Sequence, residues 1–87
     1  MKALRQEYPP YPDEGRLRGY EDNLKVRYVI GKDGRVKNIE VIDPPYREMF
    51  QYAVLHVMRD WRFTPHINEH GEAEEVVHEM SFIFQLH

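Results

Sequence analysis

The most regular run of apolar and polar positions in this chain lies between Phe50 and Pro65. Phe50, Ala53, Val54, Val57, Met58 and Trp61 fall at i, i+3, i+4, i+7, i+8 and i+11, one face of an α-helix. Gln51, His56, Arg59, Asp60 and Arg62 lie mostly off that stripe. The pattern predicts a helix from about Tyr46 to Arg62 that covers a sheet on one side and meets water on the other. Trp61, the only tryptophan, sits at its last turn, where it fills the largest single volume of a small core. Pro65 ends the helix and biases Thr64 toward extended backbone. Asp43-Pro44-Pro45 supplies a helix cap followed by proline in the first turn.

Upstream the period changes to two. Leu24, Val26, Tyr28 and Ile30 alternate with Lys25, Arg27 and Val29, the signature of a half-buried strand. Gly31-Lys32-Asp33-Gly34 is a tight connection, its Asp-Gly pair suited to positive φ. Arg35 to Ile42 forms the second strand of a hairpin. Its apolar residues Val36, Ile39 and Val41 do not share one parity, so either a bulge lies near Asn38 or both faces are partly covered. Downstream, Val76, His78, Met80, Phe82, Phe84 and Leu86 alternate with Val77, Glu79, Ser81, Ile83 and Gln85, the longest strand candidate.

The remaining stretches carry less pattern. Met1 to Glu7 is a polar lead without periodicity. Tyr8-Pro9-Pro10-Tyr11-Pro12 favours an extended, polyproline-like path, read as an arm laid on the domain surface rather than as a ligand for an aromatic groove. Asp13 to Asp22 supports a turn or a ragged helical turn, because Gly15 and Gly19 weaken a helix. His66 to Glu75 reads as a polar loop.

Composition narrows the class. The 87 residues leave room for one domain, residues 1–87, with 1–12 as the arm and 13–87 as the globular part. A domain of this size buries only about 60% of the surface of its unfolded chain. There is no Cys, so neither a disulfide framework nor a thiolate zinc site is available. A formal net charge of -3 argues against a nucleic-acid binder. No apolar run approaches the roughly 20 residues that span a bilayer. His66, His70 and His78 raise the question of a metal, but two loop histidines, His66 and His70, without a carboxylate-histidine ligand geometry are more often solvated, and no metal or cofactor is expected. Glu72, Glu74 and Glu75 read as charges that protect a strand from aggregation rather than as an acid-base pair. No phosphate loop, nucleophile elbow or Ser/His/Asp arrangement is visible, so the domain reads as a non-enzyme.

Several of these residues together carry a resemblance. Tyr11-Pro12, Leu24-Lys25-Val26-Arg27-Tyr28, Asp33-Gly34-Arg35-Val36, Asn38-Ile39, Met49-Phe50, Met58-Arg59, Trp61-Arg62-Phe63, Pro65 and Phe82-Ile83-Phe84-Gln85-Leu86 stand in the order and spacing of the C-terminal domain of TonB energy transducers. The chain resembles that family from Pro9 to Leu86. The resemblance implies an α+β fold. A three-stranded antiparallel sheet is packed by one main helix, in the order strand, strand, helix, strand, behind the arm and with at most a short first helix.

It also implies a periplasmic domain, anchored to the inner membrane through an N-terminal segment and coupled there to an ExbB/ExbD-like complex. Its partner would be the TonB box of a TonB-dependent outer-membrane transporter, added as an extra strand to the final strand. The partner-binding residues would then be Tyr8, Pro10 and Tyr11 of the arm and Val76, Val77, His78, Glu79, Met80, Ser81 and Phe82 of the edge. A strand-exchanged homodimer is a further expectation. Departures from the family pattern fall at Tyr8, where members have Gln, at Glu14, where they have Arg, at Asp22, and in the longer, more acidic loop from His66 to Glu75. The alternative is a binding or scaffold module of the same fold, TolA-like or a periplasmic adaptor, that energises nothing.

Overall fold

A computed structural model describes residues 1–42 and 47–87. Its centre is the predicted hairpin, β2 (Asp22–Ile30) and β3 (Val36–Ile42), which pair antiparallel. Along β2 the alternation holds to the end, with Leu24, Val26, Tyr28 and Ile30 all at most 1% exposed. In β3 the register slips by one between the pairs Val29↔Lys37 and Arg27↔Glu40. Asn38, at φ 52°, is the extra residue. The slip returns Ile39 and Val41 to the face already occupied by Val36, and all three pack against the core. The bulge is therefore what reconciles the mixed parity of this strand.

The strand β7 (Val76–Phe84) lies on the other side of β2 and pairs with it antiparallel through nine consecutive residues, from Asp22↔Phe84 to Ile30↔Val76. The sheet order is β3-β2-β7, with β7 at an edge. The helix α2 (Glu48–Met58) packs across one face, burying Phe50, Val54 and Met58 completely. Burying a side chain of this size is worth about 1.5–3 kcal/mol relative to exposure. Trp61 is also fully buried, in van der Waals reach of the rings of Tyr28, Phe63 and Phe82.

The helix is shorter than its apolar stripe. It stops at Met58 instead of running to Arg62, and Asp60 and Trp61 donate to the Val57 and Met58 carbonyls in a tightening last turn. Long-range pairing decides the end. Arg62–Phe63 forms a short strand, β4, held from both sides: by β1 (Ala3–Arg5), in the pairs Ala3↔Phe63 and Arg5↔Arg62, and by the hairpin, through the bridge Arg35↔Arg62 and the Phe63 N–H donating to the Gly34 carbonyl at 2.9 Å. Extended backbone at 62–63 is incompatible with a continuing helix. The expected start at Tyr46 and the cap at Asp43 fall outside the described residues.

Three further elements were weak or invisible in the sequence. The polar lead is strand β1, whose three exposed side chains carry no pattern. Residues Asp13–Arg18 form a true helix, α1, closed by Gly19 at φ 71°. Gly15 does not break it; it is buried where a side chain would press on Phe50, Met49 and Tyr11. The loop from His66 to Glu75 contains a small hairpin, β5 (His66–Ile67) and β6 (Ala73–Glu74), turned around Asn68, whose side-chain oxygen accepts from the N–H groups of His70 and Glu72.

Candidate functional site

The sheet has two outer edges among the described residues, β3 and β7, and the one that lies beside the arm is that of β7. Which of its peptides are free follows from the hairpin. The Gly31 N–H donates to the Arg35 carbonyl at 2.8 Å. Backbone polar groups of successive strand residues point to opposite sides, so odd-numbered residues of β2 face β3 and even-numbered ones face β7. The β2–β7 register is unbroken. Val76, His78, Met80, Phe82 and Phe84 therefore bond to β2, while the N–H and C=O groups of Val77, Glu79, Ser81 and Ile83 point outward, with no strand beside them among the described residues.

The side chains at this edge are of two kinds. Val77 and Ile83 are about two-thirds exposed (64% and 68%), unusual for aliphatics on a free edge. Between them the Glu79 carboxylate receives Arg27 Nη2 at 2.8 Å and lies 3.7 Å from Lys25 Nζ. The hydrogen bond from Arg27, reinforced by the two positive charges, holds Glu79 below the usual carboxylate range. A carboxyl group whose pKa is lowered on folding stabilises the fold above its unfolded pKa, and that contribution is lost as pH falls through the lowered value. Thermal melts between neutral pH and the acid range should thus show a shallower loss of stability for Glu79→Gln than for the parent. Parallel profiles would mean that the ion pair adds nothing to folding.

On the core side of the edge, His78 Nδ1 lies 2.9 Å from the Tyr28 hydroxyl. Burial, with a smaller push from Tyr8, raises the Tyr28 phenol above its ordinary value.

The arm runs beside the C-terminal half of β7. It is fixed by Trp61 Nε1, which donates to the Glu7 carbonyl at 2.7 Å, and by the Tyr8 ring, edge-on to Trp61 at 6.3 Å. Further along, the Tyr11 ring stands edge-on to both Phe50 and Phe84, and its hydroxyl donates to the Tyr20 carbonyl. Burial and the nearby Glu21 raise the Tyr11 phenol, with Arg16 opposing. Between arm and strand lies a groove of about 300 Å³ lined by Tyr8, Pro9, Tyr11, Ser81, Phe82 and Ile83.

Residues 7–86 match the family described as Gram-negative bacterial TonB protein C-terminal. The chain belongs to this family.

The TonB protein of Pseudomonas aeruginosa is 37% identical over 68 residues, 78% of this chain and 20% of that protein. The TonB protein of Yersinia enterocolitica is 40% identical over 62 residues, 71% of this chain and 24% of that protein. The chain thus spans about a fifth to a quarter of the length of these relatives. The solution NMR structure of the Pseudomonas aeruginosa TonB C-terminal domain superposes with a TM-score of 0.83 at 33% identity, covering 98% of this chain and 85% of that one. The α+β fold inferred from the sequence is the fold of this family.

Within this TonB C-terminal domain the sequence-derived residues separate into groups. Val77, Glu79 and Ser81 carry the outward peptides, whereas Val76, His78, Met80 and Phe82 spend theirs on β2 and contribute side chains only. Tyr8 and Tyr11 line the groove. Pro10 does not; it faces the opposite side of the arm, toward Met49 and Ala53 of α2. Pro9 and Ile83 line the groove but were not singled out in the sequence, although the alternation of β7 already included Ile83. The three histidines have separate partners: His66 Nε2 lies 3.3 Å from Glu74, His70 is at the hairpin turn beside Glu69, and His78 meets Tyr28. Among the described residues no three metal-ligating side chains converge, and no helix is long and apolar enough to cross a membrane.

Proposed function

We propose that this domain binds the TonB box of a TonB-dependent outer-membrane transporter by adding it as a fourth strand to β7. The domain would be periplasmic, would belong to a longer protein anchored in the inner membrane and coupled to an ExbB/ExbD-like complex, and would pass on proton-motive energy for active uptake. In this reading it is a binding and force-transmitting domain, not an enzyme. The observation that carries the reading is the row of outward N–H and C=O groups at Val77, Glu79, Ser81 and Ile83, next to the arm, in a chain of the TonB family.

In β-augmentation the main chain supplies affinity and alternate side chains supply selection. Each hydrogen bond adds about 0.5–1.5 kcal/mol net, so changing an outward side chain weakens binding mildly and removing a backbone donor does more. The Ser81 N–H points to solvent, so Ser81→Pro takes a donor from the docking edge without touching the β2–β7 ladder. Peptides carrying TonB-box sequences from outer-membrane receptors of the source organism are expected to shift the amide resonances of Val77 to Ile83 and of Tyr8 to Tyr11. Ser81→Pro should keep a folded spectrum and weaken binding by about tenfold, the loss of roughly one good bond. Shifts confined to the Asp33-Gly34 turn, or a Ser81→Pro variant that binds normally, would refute the edge as the docking site.

A further inference from the structure

We infer that the opposite side of the arm is a second docking groove, for a peptide segment that carries an apolar side chain flanked by lysine or arginine. The arm is the wall between two concavities: Tyr8, Pro9 and Tyr11 turn toward β7, and Pro10 and Pro12 turn toward α2. The α2 side is the larger, about 800 Å³, with half-buried Met49 and Ala53 as its floor. Its outer wall is Tyr52, 71% exposed yet ordered by stacking on His56 one helical turn later, with ring centroids at 5.7 Å and an interplanar angle of 22°. An aromatic of this exposure beside a proline wall and the Met49–Ala53 floor leaves an apolar surface that a lone domain has no folding reason to keep.

Charge decides what fits. Glu14 and Glu48 stand on the rim. Glu48 takes part in no ion pair among the described residues, and Glu14 meets only the exposed Arg18. Among the described lining residues the one arginine or lysine, Arg47, has its guanidinium 3.6 Å from the centroid of the Tyr20 ring. A second copy of this chain would set Glu14 and Glu48 against acidic counterparts in an isologous contact, whereas a basic-apolar segment pairs with both rim and floor.

The test uses two capped pentapeptides, Lys-Leu-Lys-Leu-Lys and Glu-Leu-Glu-Leu-Glu, titrated into the isotope-labelled domain. The lysine peptide should shift the amides of Met49, Tyr52, Ala53 and His56, and the glutamate peptide should not. Tyr52→Ser and Glu48→Lys change exposed side chains, so both variants stay folded, and each should weaken the lysine peptide by about tenfold, as expected when an anchor or a charge partner is lost. Equal binding of both peptides would reduce the groove to unspecific apolar adhesion. Shifts only along β7, or no shifts, would overturn the proposal, as would α2 shifts that follow protein concentration alone with sedimentation showing a dimer. A TonB-box peptide that shifts β7 but not α2 leaves this groove independent of the edge site.

Discussion

Trp61→Ala is expected to destabilise the domain by about 3–5 kcal/mol, the range for deleting a buried large aromatic. Trp61 is fully buried and meets the rings of Tyr8, Tyr28, Phe63 and Phe82, which come from the arm, the central strand, β4 and the edge strand. Its indole N–H also fixes the arm through the Glu7 carbonyl. One substitution therefore opens a cavity and unties the N-terminal segment. Against a total stability of about 5–15 kcal/mol for a domain of this kind, the loss is a large fraction. Urea denaturation checks it, with Trp61→Phe as the companion: phenylalanine refills most of the volume and loses the N–H, so it should cost clearly less. A loss below about 1 kcal/mol for alanine would mean that this contact network does not hold the core together.

The elements that carry such contacts were the legible ones. Phe50, Val54, Met58 and Trp61 could be assigned to one buried face because helical period and burial coincide, and the same holds for Leu24 to Ile30 in β2. The bulge at Asn38 was foreshadowed by the parity change between Val36 and Ile39, which only an inserted residue or a two-sided strand explains. What the sequence did not disclose is non-local pairing between short segments. Ala3–Arg5 has no periodicity because neither face is buried, and Arg62–Phe63 reads as the end of a helix because Trp61 completes the helical stripe. The meeting of these two segments, some 60 residues apart, makes Ala3–Arg5 a strand, and together with the hairpin's bridge at Arg35 it holds Arg62–Phe63 extended. The α1 segment was only partly legible, as a ragged turn or a short first helix, for another reason: Gly15 lowers helix propensity locally, but its missing side chain lets α1 approach Phe50 and Met49, a tertiary gain that propensity cannot register.

Legibility of the candidate site follows the same division. Alternation along Val76 to Phe84 announced which side chains of the final strand face the core, but which peptides are free depends on the strand's neighbour. The single bond from Gly31 to Arg35 settles that at the far end of β2. For the arm, the prolines announced an extended path, yet its sidedness, with Pro9 toward β7 and Pro10 toward α2, arises from how Trp61 and Phe50 anchor Tyr8 and Tyr11.

Gly34→Ala is the other large effect. Gly34 sits at φ 82°, where any side chain is strained, and a methyl carbon there would overlap the Phe63 carbonyl oxygen. The obstacle is backbone, and it cannot rotate away: the Gly34 carbonyl accepts from the Phe63 N–H, its N–H donates to the Gly31 carbonyl, and Arg35 bridges to Arg62. Relieving the overlap means withdrawing the β2–β3 turn from β4, which gives up the bond from Phe63 and loosens the seat of β1 on its other side. Left-handed strain of about 1–2 kcal/mol adds to a packing penalty of about 1–3 kcal/mol, so a total near 2–5 kcal/mol is expected. Gly71→Ala isolates the first part, the left-handed strain. Gly71 has a similar φ, 77°, but nothing lies within 4 Å of a side chain there, so alanine should cost only the conformational share, about 1–2 kcal/mol. Denaturation of the two variants, with hydrogen exchange at Ala3 to Arg5 and at Phe63, reads the difference. Faster exchange at β1 and β4 in Gly34→Ala alone places the lost stability at the turn's contact with β4, and equal costs for the two alanines would remove that contact as a reason for glycine at this position.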